Sequence, residues 1–134
     1  MFRWLNIFLF CSIATISSAQ SWKDVTNDFI PNPGFEQYDT CPTSQTEIGF
    51  CSYWDRPTFA TSDYFNACGN PSSFVGTPNN VVGFQLPFDG GSYVGLGYFP
   101  SGVTILQSFR WSEYAYTTLI KPLESGKRYH FSMR

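Results

Sequence analysis

The chain has 134 residues and a formal net charge of −2 at pH 7; 43% of its residues are hydrophobic, 19% are aromatic and 13% are charged. Such a composition is too apolar and too aromatic for a disordered chain. It contains no cluster of basic residues, which argues against nucleic acid as a partner. The length suits one domain rather than two.

The first nineteen residues predict a secretory signal peptide. Arg3 supplies a positive start, residues 5–16 form a short and mostly apolar run, and small residues at 17–19 fit a cleavage site. The run is shorter than the ~20 residues that a transmembrane helix needs. The alternative is a buried N-terminal helix. Cleavage after Ala19 would leave residues 20–134 as the mature module.

Three cysteines remain after cleavage, namely Cys41, Cys51 and Cys68. An oxidising compartment favours one disulfide and one leftover thiol. We predict the Cys41–Cys68 pair because it would hold down the least regular part of the chain, in preference to Cys41–Cys51 or Cys51–Cys68. A zinc site is not expected, since the chain has no Cys-x-x-Cys pair and His130 is its only histidine.

The mature chain has the punctuation of an all-β protein. Its prolines and glycines are spread throughout, and no stretch keeps apolar residues at helical spacing. Residues 39–80 form a long Thr/Ser/Pro/Asn-rich excursion that the predicted disulfide would hold in place. Short strands are predicted at residues 35–38, around 53–54, and at 81–86, 92–99, 103–111, 115–120 and 127–133.

The last predicted strand lies close to Arg134. An outer strand without a neighbour exposes unpaired backbone groups. We therefore expect the β fold to be incomplete at its C-terminus, with closing strands and a downstream domain beyond Arg134.

Several short motifs are weak individually but informative in their order. They combine turn residues, aromatic rings and cysteines that any secreted β domain can contain. The motifs are Pro31-Asn32-Pro33-Gly34-Phe35-Glu36, Tyr38, Cys41-Pro42, Trp54, Pro57, Asp63-Tyr64-Phe65-Asn66-Ala67-Cys68, Gly76, Pro78-Asn79-Asn80, Gly83-Phe84-Gln85, Gly91-Ser92-Tyr93, Gly95 and Pro122-Leu123-Glu124-Ser125-Gly126-Lys127-Arg128-Tyr129.

This succession, over residues 29–134, resembles the N-terminal jelly-roll module of exported Bacteroidetes proteins. That module often precedes an OmpA-like peptidoglycan-binding domain or a type IX secretion sorting domain. More remotely, the chain is similar to carbohydrate-binding modules of galactose-binding-like fold. The chain departs from the pattern at Cys51, which keeps an alternative disulfide open. The family module also continues past the position of Arg134, so we expect any ligand or ion site completed by its last strands to be missing here.

The resemblance implies an all-β, galactose-binding-like jelly-roll β-sandwich that is exported to the outside of the cell or to the outer membrane. It implies a non-catalytic module that binds carbohydrate or a surface glycan. The alternative is a structural or adhesive spacer domain. Catalysis has little support, because His130 stands alone, no Gly-x-Ser-x-Gly or His-Glu-x-x-His motif is present, and the spacing of the carboxylates selects no glycosidase pair.

A structural calcium ion is a further implication of the resemblance, because related sandwiches hold one with a first-strand glutamate. Glu36 matches that glutamate, and Asp89 or the backbone near Ser92 would add oxygen ligands of the type that calcium prefers. The alternative is that Glu36 is an ordinary strand-end carboxylate and that residues 89–91 form a plain turn.

Aromatic side chains in loops or at strand ends are the candidate sugar-binding residues. Exposed rings stack on sugars while nearby polar groups hydrogen-bond the hydroxyls. The competing interpretation is that large rings fill the core, which is strongest for Trp54 and Phe35. The ligand-binding candidates are Trp54, Tyr64, Trp111 and Tyr114.

Overall fold

The computed structural model describes residues 21–69, 74–99 and 111–134. The predicted signal peptide and cleavage site lie outside these residues, as does the predicted strand at 103–111 except for its last residue. The described chain is rich in strands and has little helix. Its elements are α1 (Thr26–Phe29), a 3₁₀ turn (Ile48–Phe50), β1 (Trp54–Asp55), β2 (Asp63–Asn66), β3 (Asn79–Asn80), β4 (Gly83–Phe84), β5 (Ser92–Gly95), β6 (Tyr98–Phe99), β7 (Trp111–Ser112) and β8 (Tyr116–Thr117).

The strands pair in twos, and every pair is antiparallel. β1 pairs with β8, β2 with β5, β3 with β4, and β6 with β7. The longest ladder joins β2 to β5, from Asp63 opposite Gly95 to Asn66 opposite Ser92. The expected β-rich class is therefore confirmed, whereas the jelly-roll arrangement of these pairs stays a prediction.

The core is centred on β2, whose four residues are all buried. Tyr64 and Phe65 are completely inaccessible to solvent, as are Ile48 and Val75 from neighbouring segments. The ring of Phe65 lies against β5, and a Cβ added at Gly95 would lie 2.6 Å from that ring. The alternation of large and small residues along β5 therefore serves close packing of the two strands.

The predicted strand at 35–38 is absent, and the one at 81–86 is reduced to β4 behind a turn. At residues 35–38 only an isolated backbone bridge between Tyr38 and Cys51 forms, because Phe35 takes a left-handed conformation with φ of 62°. The segment 81–86 contains the turn of the β3–β4 hairpin. There the side-chain oxygen of Asn80 accepts a hydrogen bond from the Val82 amide at 3.1 Å, as turn-forming asparagines do.

The predicted strands at 92–99 and 115–120 are shorter than expected. The segment 92–99 is divided between β5 and β6, and the Gly97 amide at the break donates to the Glu113 carboxylate at 2.6 Å. β1 and β8 confirm the strands predicted near residues 54 and 116. Residues 127–133 form no strand, since an extended segment needs a partner for its backbone groups and no described residue supplies one.

Over residues 21–69, 74–99 and 111–134, no helix has the length and apolar character that crossing a membrane requires.

The disulfide joins Cys41 to Cys68, as the sequence predicted. Their Cα atoms lie 5.9 Å apart, within the usual range for a disulfide. Cys51 carries a free thiol and is buried. The bridge thus fixes the irregular chain that leads from the N-terminal turns to the end of β2.

Replacing both bridged cysteines, in a Cys41→Ser/Cys68→Ser variant, is expected to lower the free energy of unfolding by about 3–4 kcal/mol, because the bridge closes a loop with a sequence separation of 27 residues. Urea unfolding of the variant should match that of the reduced wild-type protein. Peptide mapping of the non-reduced protein provides the independent check, and a bridge that contains Cys51 would contradict the assignment.

Candidate functional site

A cleft of about 340 Å³ lies beside the β1–β8 pair. This volume is at the lower end of the ~300–1,000 Å³ typical of small-molecule sites. Tyr53 and Tyr116 line it with 64% and 47% of their surfaces exposed. The lining combines aromatic rings, carboxylates and small polar groups: Pro31, Asp39, Gly49, Cys51, Tyr53, Trp54, Asp55, Tyr116, Thr117 and Thr118.

Pairing of distant segments builds this cleft. Trp54 lies opposite Thr117 and Asp55 opposite Tyr116 in the β1–β8 register. The Thr117 hydroxyl also donates to the carbonyl of Tyr53 at 2.8 Å. Tyr53, with φ of 73°, is in the left-handed region, so the chain turns sharply just before it enters β1.

The orientation of Trp54 is set by the turn at residues 31–34. Its indole Nε1 donates to the Asn32 carbonyl at 2.9 Å, and its ring centroid lies 4.8 Å from that of Phe35. Trp54 is half-buried, so one part of the indole supports the cleft while the rest packs inward. Trp54 thus has a contact with Phe35 and a place in the cleft lining, while its role in binding sugar stays a prediction.

The buried side chain of Asn32 holds the segments beneath the cleft together. Its Nδ2 donates to the carbonyls of Gln37 and Ser52 at 2.8 Å and 3.0 Å, and its Oδ1 accepts from the Gln37 amide at 3.0 Å. Asn32 has φ of 48°, a left-handed conformation that asparagine tolerates better than most residues. A bulky apolar residue at this position would leave those backbone groups without their partner.

Two aspartates supply the charge of the cleft. Asp39 Oδ1 accepts from the Ser52 hydroxyl at 2.9 Å, and Asp55 Oδ1 accepts from the Arg56 amide at 2.7 Å. Both carboxylates are exposed. The Arg56 guanidinium donates instead to the carbonyls of Thr46 and Ala60, each at 3.1 Å. The cleft therefore offers hydrogen-bond acceptors of negative charge beside aromatic rings.

The thiol of Cys51 lies beneath the cleft and is only 1% exposed. Asn32 Nδ2 lies 3.3 Å from its sulfur. Burial raises the pKa of the Cys51 thiol to about 12, which keeps it protonated near neutral pH. A nucleophilic cysteine needs the opposite shift of its pKa, so this thiol is suited to packing.

The structure brings one of the four predicted ligand-binding aromatics, Trp54, into the cleft. Tyr64 is completely buried, and its hydroxyl donates to the Phe35 carbonyl at 2.7 Å and accepts from the Asn66 amide group. Tyr114 is exposed but does not line the cleft. The backbone of Trp111 pairs in β7, while its side chain lies outside the described part of the chain.

Sequence reasoning missed Tyr53 and Tyr116, the two most exposed rings of the cleft. Their exposure follows from a left-handed turn and from the register of β1 with β8. The only available signal was that each lies within a short predicted strand.

Glu36 and Asp89, the predicted calcium ligands, meet at the same turn. Both oxygens of Glu36 accept from the Gly91 amide at 3.1 Å and 3.0 Å, and Oε1 also accepts from the Ser92 amide at 3.0 Å. Asp89 Oδ1 accepts from the Gly90 amide at 3.0 Å. Within the described ranges no group of three or more Asp, Glu, His or Cys side chains could hold a metal ion, and calcium stays a prediction.

Glycine at position 90 suits both the backbone and the Glu36 side chain in this turn. Gly90 has φ of 62°, and a Cβ there would collide with the Glu36 carboxylate. Glu36 thus acts as an anion bound by backbone amides, an arrangement that ties the first turns of the domain to the start of β5.

No protein-family profile, curated protein or solved structure matches this chain. The resemblance described above therefore rests on the sequence motifs, and the geometry of the cleft carries the functional argument.

A Glu36→Gln substitution is expected to lower the free energy of unfolding by about 1–2 kcal/mol, because backbone amides lose a charged acceptor. Glu124→Gln is the matched control. It breaks an exposed ion pair with Lys127 at 2.6 Å, and such pairs contribute little to stability. Equal midpoints for the two variants in urea unfolding would refute the structural role of Glu36.

The Cys51 thiol should make the protein less stable at high pH. In the unfolded chain it titrates near 9.0, whereas its pKa in the folded protein is about 12. Between these values the folded state binds more protons, so the free energy of unfolding falls as pH rises. Urea unfolding at about pH 8 and about pH 10.5 should show a smaller decline for Cys51→Ala than for the wild type. An equal decline would mean that the thiol does not titrate as described.

Proposed function

We propose that this protein is a non-catalytic, exported binding module that takes carbohydrate into the cleft beside β1 and β8. In this proposal the strand pairs belong to a jelly-roll sandwich of the galactose-binding-like kind, displayed outside the cell or at the outer membrane.

The observation that carries the proposal is the combination of groups in the cleft. Two exposed tyrosines, Tyr53 and Tyr116, line the cleft together with Trp54. Asp39 and Asp55 lie beside them as hydrogen-bond acceptors. Flat apolar rings with a few placed polar groups suit a sugar, which has apolar C–H faces and a rim of hydroxyls.

A binding role fits these groups better than covalent catalysis does. The Cys51 thiol is buried and has a raised pKa, so it lacks the thiolate character of a nucleophile. The single histidine, His130, has its ring 6.0 Å from that of Trp22 and does not line the cleft. No imidazole therefore serves there as a proton carrier.

Export is supported by the disulfide as well as by the N-terminal sequence. Disulfides such as Cys41–Cys68 form and persist mainly in oxidising compartments outside the cytoplasm. The sandwich is supported by strand pairs that join distant segments, such as Asn66 with Ser92 and Trp54 with Thr117. Antiparallel pairing between early and late strands is typical of jelly rolls.

An adhesive or spacer role is the second candidate, and the β3–β4 hairpin favours it. Val82 at the turn and Phe84 in β4 expose 70% and 66% of their surfaces, and Leu86 and Phe88 follow with similar exposure. Large exposed apolar patches mark surfaces that contact other proteins. This hairpin would then contact a neighbouring domain or protein.

Tyr116→Ala is expected to weaken binding to soluble oligosaccharides about tenfold, since a lost aromatic contact of ~1.4 kcal/mol corresponds to that factor. Tyr98→Ala is the matched control. Tyr98 is also an exposed tyrosine in a two-residue strand, but it lies outside the cleft. Calorimetric titration of both variants and the wild type against a panel of oligosaccharides measures the difference.

The outcomes separate the candidate functions. Equal binding by the two variants would place the sugar elsewhere, and a wild-type protein that binds no glycan would favour the adhesive role. Release of new reducing ends from the oligosaccharides would instead indicate a glycosidase.

A further inference from the structure

We propose that the cleft selects its glycan by charge: it favours sugars that carry free amino groups, accepts neutral sugars and rejects those that carry carboxylate or sulfate groups. This inference rests on the proposed carbohydrate-binding function, and it names the class of glycan that the site takes.

The charged side chains that line the cleft are acidic. Asp39 and Asp55 both line the cleft, and no lysine, arginine or histidine of the described residues does so. A ligand that carries a negative charge would therefore meet like charge without any compensating cation. Like charges brought together at a binding site disfavour the wrong partner strongly.

Three cationic side chains of the described residues have contacts outside the cleft. The Arg56 guanidinium, although adjacent to Asp55 in sequence, donates to two backbone carbonyls outside the cleft. Lys121 lies over the ring of Phe29, with Nζ 4.6 Å from its centroid, and Lys127 pairs with Glu124. Within the described ranges the only ion pair is this last one, so neither aspartate of the cleft is neutralised there.

The two aspartates of the cleft have hydrogen-bonding capacity to spare. Each aspartate has one oxygen occupied, Asp39 Oδ1 by the Ser52 hydroxyl and Asp55 Oδ1 by the Arg56 amide. Among the described groups none donates to the second oxygen of either carboxylate, which leaves both ready to accept from a ligand. A sugar hydroxyl or ammonium group is a donor, whereas an ionised carboxylate or sulfate group offers acceptors only.

Ammonium groups should be preferred over hydroxyls, since hydrogen bonds between charged partners are stronger than neutral ones. The open cleft screens these interactions, and salt should reduce the preference further. Neutral sugars keep the aromatic stacking and the hydroxyl bonds, so they remain ligands of intermediate affinity.

Two pairs of oligosaccharides, each differing mainly in charge, test the proposal. A glucosamine oligomer is compared with its N-acetylated form, and a galactose oligomer with a galacturonate oligomer of the same length. For the wild type at low salt we expect the glucosamine oligomer to bind about tenfold more tightly than its N-acetylated form, which corresponds to ~1.4 kcal/mol. We expect the galactose oligomer to bind more tightly than the galacturonate oligomer by about the same factor.

The Asp39→Asn/Asp55→Asn variant should bring both ratios close to one, because it removes the charge and keeps the side-chain shape. An Asp28→Asn/Glu124→Gln variant is the matched control. It changes the net charge equally, at two exposed positions outside the cleft, and should keep the wild-type ratios. Unchanged near-ultraviolet circular dichroism shows that each variant is folded.

The possible failures are distinguishable. If glycans bind and Tyr116→Ala weakens them, but galacturonate binds as tightly as galactose, the charge inference is wrong and the proposed function stands. The charge inference is also wrong if the affinity ratios survive in the Asp39→Asn/Asp55→Asn variant, or if they disappear equally in the control. A wild-type protein that binds none of the four oligomers overturns both proposals.

Discussion

The arrangement of the candidate site depends on the buried amide of Asn32. Its side chain donates to the backbone carbonyls of Gln37 and Ser52. The backbone carbonyl of Asn32 accepts from the indole of Trp54. Because a buried amide costs free energy unless its donors and acceptors are paired, all these segments must stay together for the site to exist. The turn at residues 31–34 thus supports the cleft: Pro31 lines it, and Asn32 joins the segments beneath it.

Glu36 and the β1–β8 pair extend this local arrangement to the rest of the domain. Glu36 binds the amides of Gly91 and Ser92, which begin β5, and β5 pairs with the buried strand β2. These long-range contacts replace the regular ladders that a larger sheet would provide, since most strands here have only two residues. Side-chain to backbone hydrogen bonds therefore carry much of the tertiary organisation.

The sequence predicted the features that local chemistry determines. The Cys41–Cys68 pairing and the β-rich class follow from cysteine positions and from turn residues, and the structure has both. Exposure of Tyr53 and Tyr116 was not predictable, because it depends on a left-handed backbone at one residue and on the register between strands more than sixty residues apart. The burial of Tyr64, a ring that the sequence suggested for ligand binding, was not predictable either. Because β2 is buried on both faces, its sequence has no alternation that would mark this ring as core.

The cleft and the β3–β4 hairpin differ in how firmly their side chains are held before a ligand binds. In the cleft, the hydrogen bonds of Trp54 and Thr117 to the backbone fix neighbouring rings before any ligand arrives. Side chains already held in place lose less conformational entropy on binding, so even a shallow site of this kind can be selective. The apolar side chains of the β3–β4 hairpin form no such bonds, and burial against an apolar surface is non-directional. The cleft is therefore the surface suited to recognising a particular small ligand, and the hairpin is suited to contacts in which area matters more than geometry.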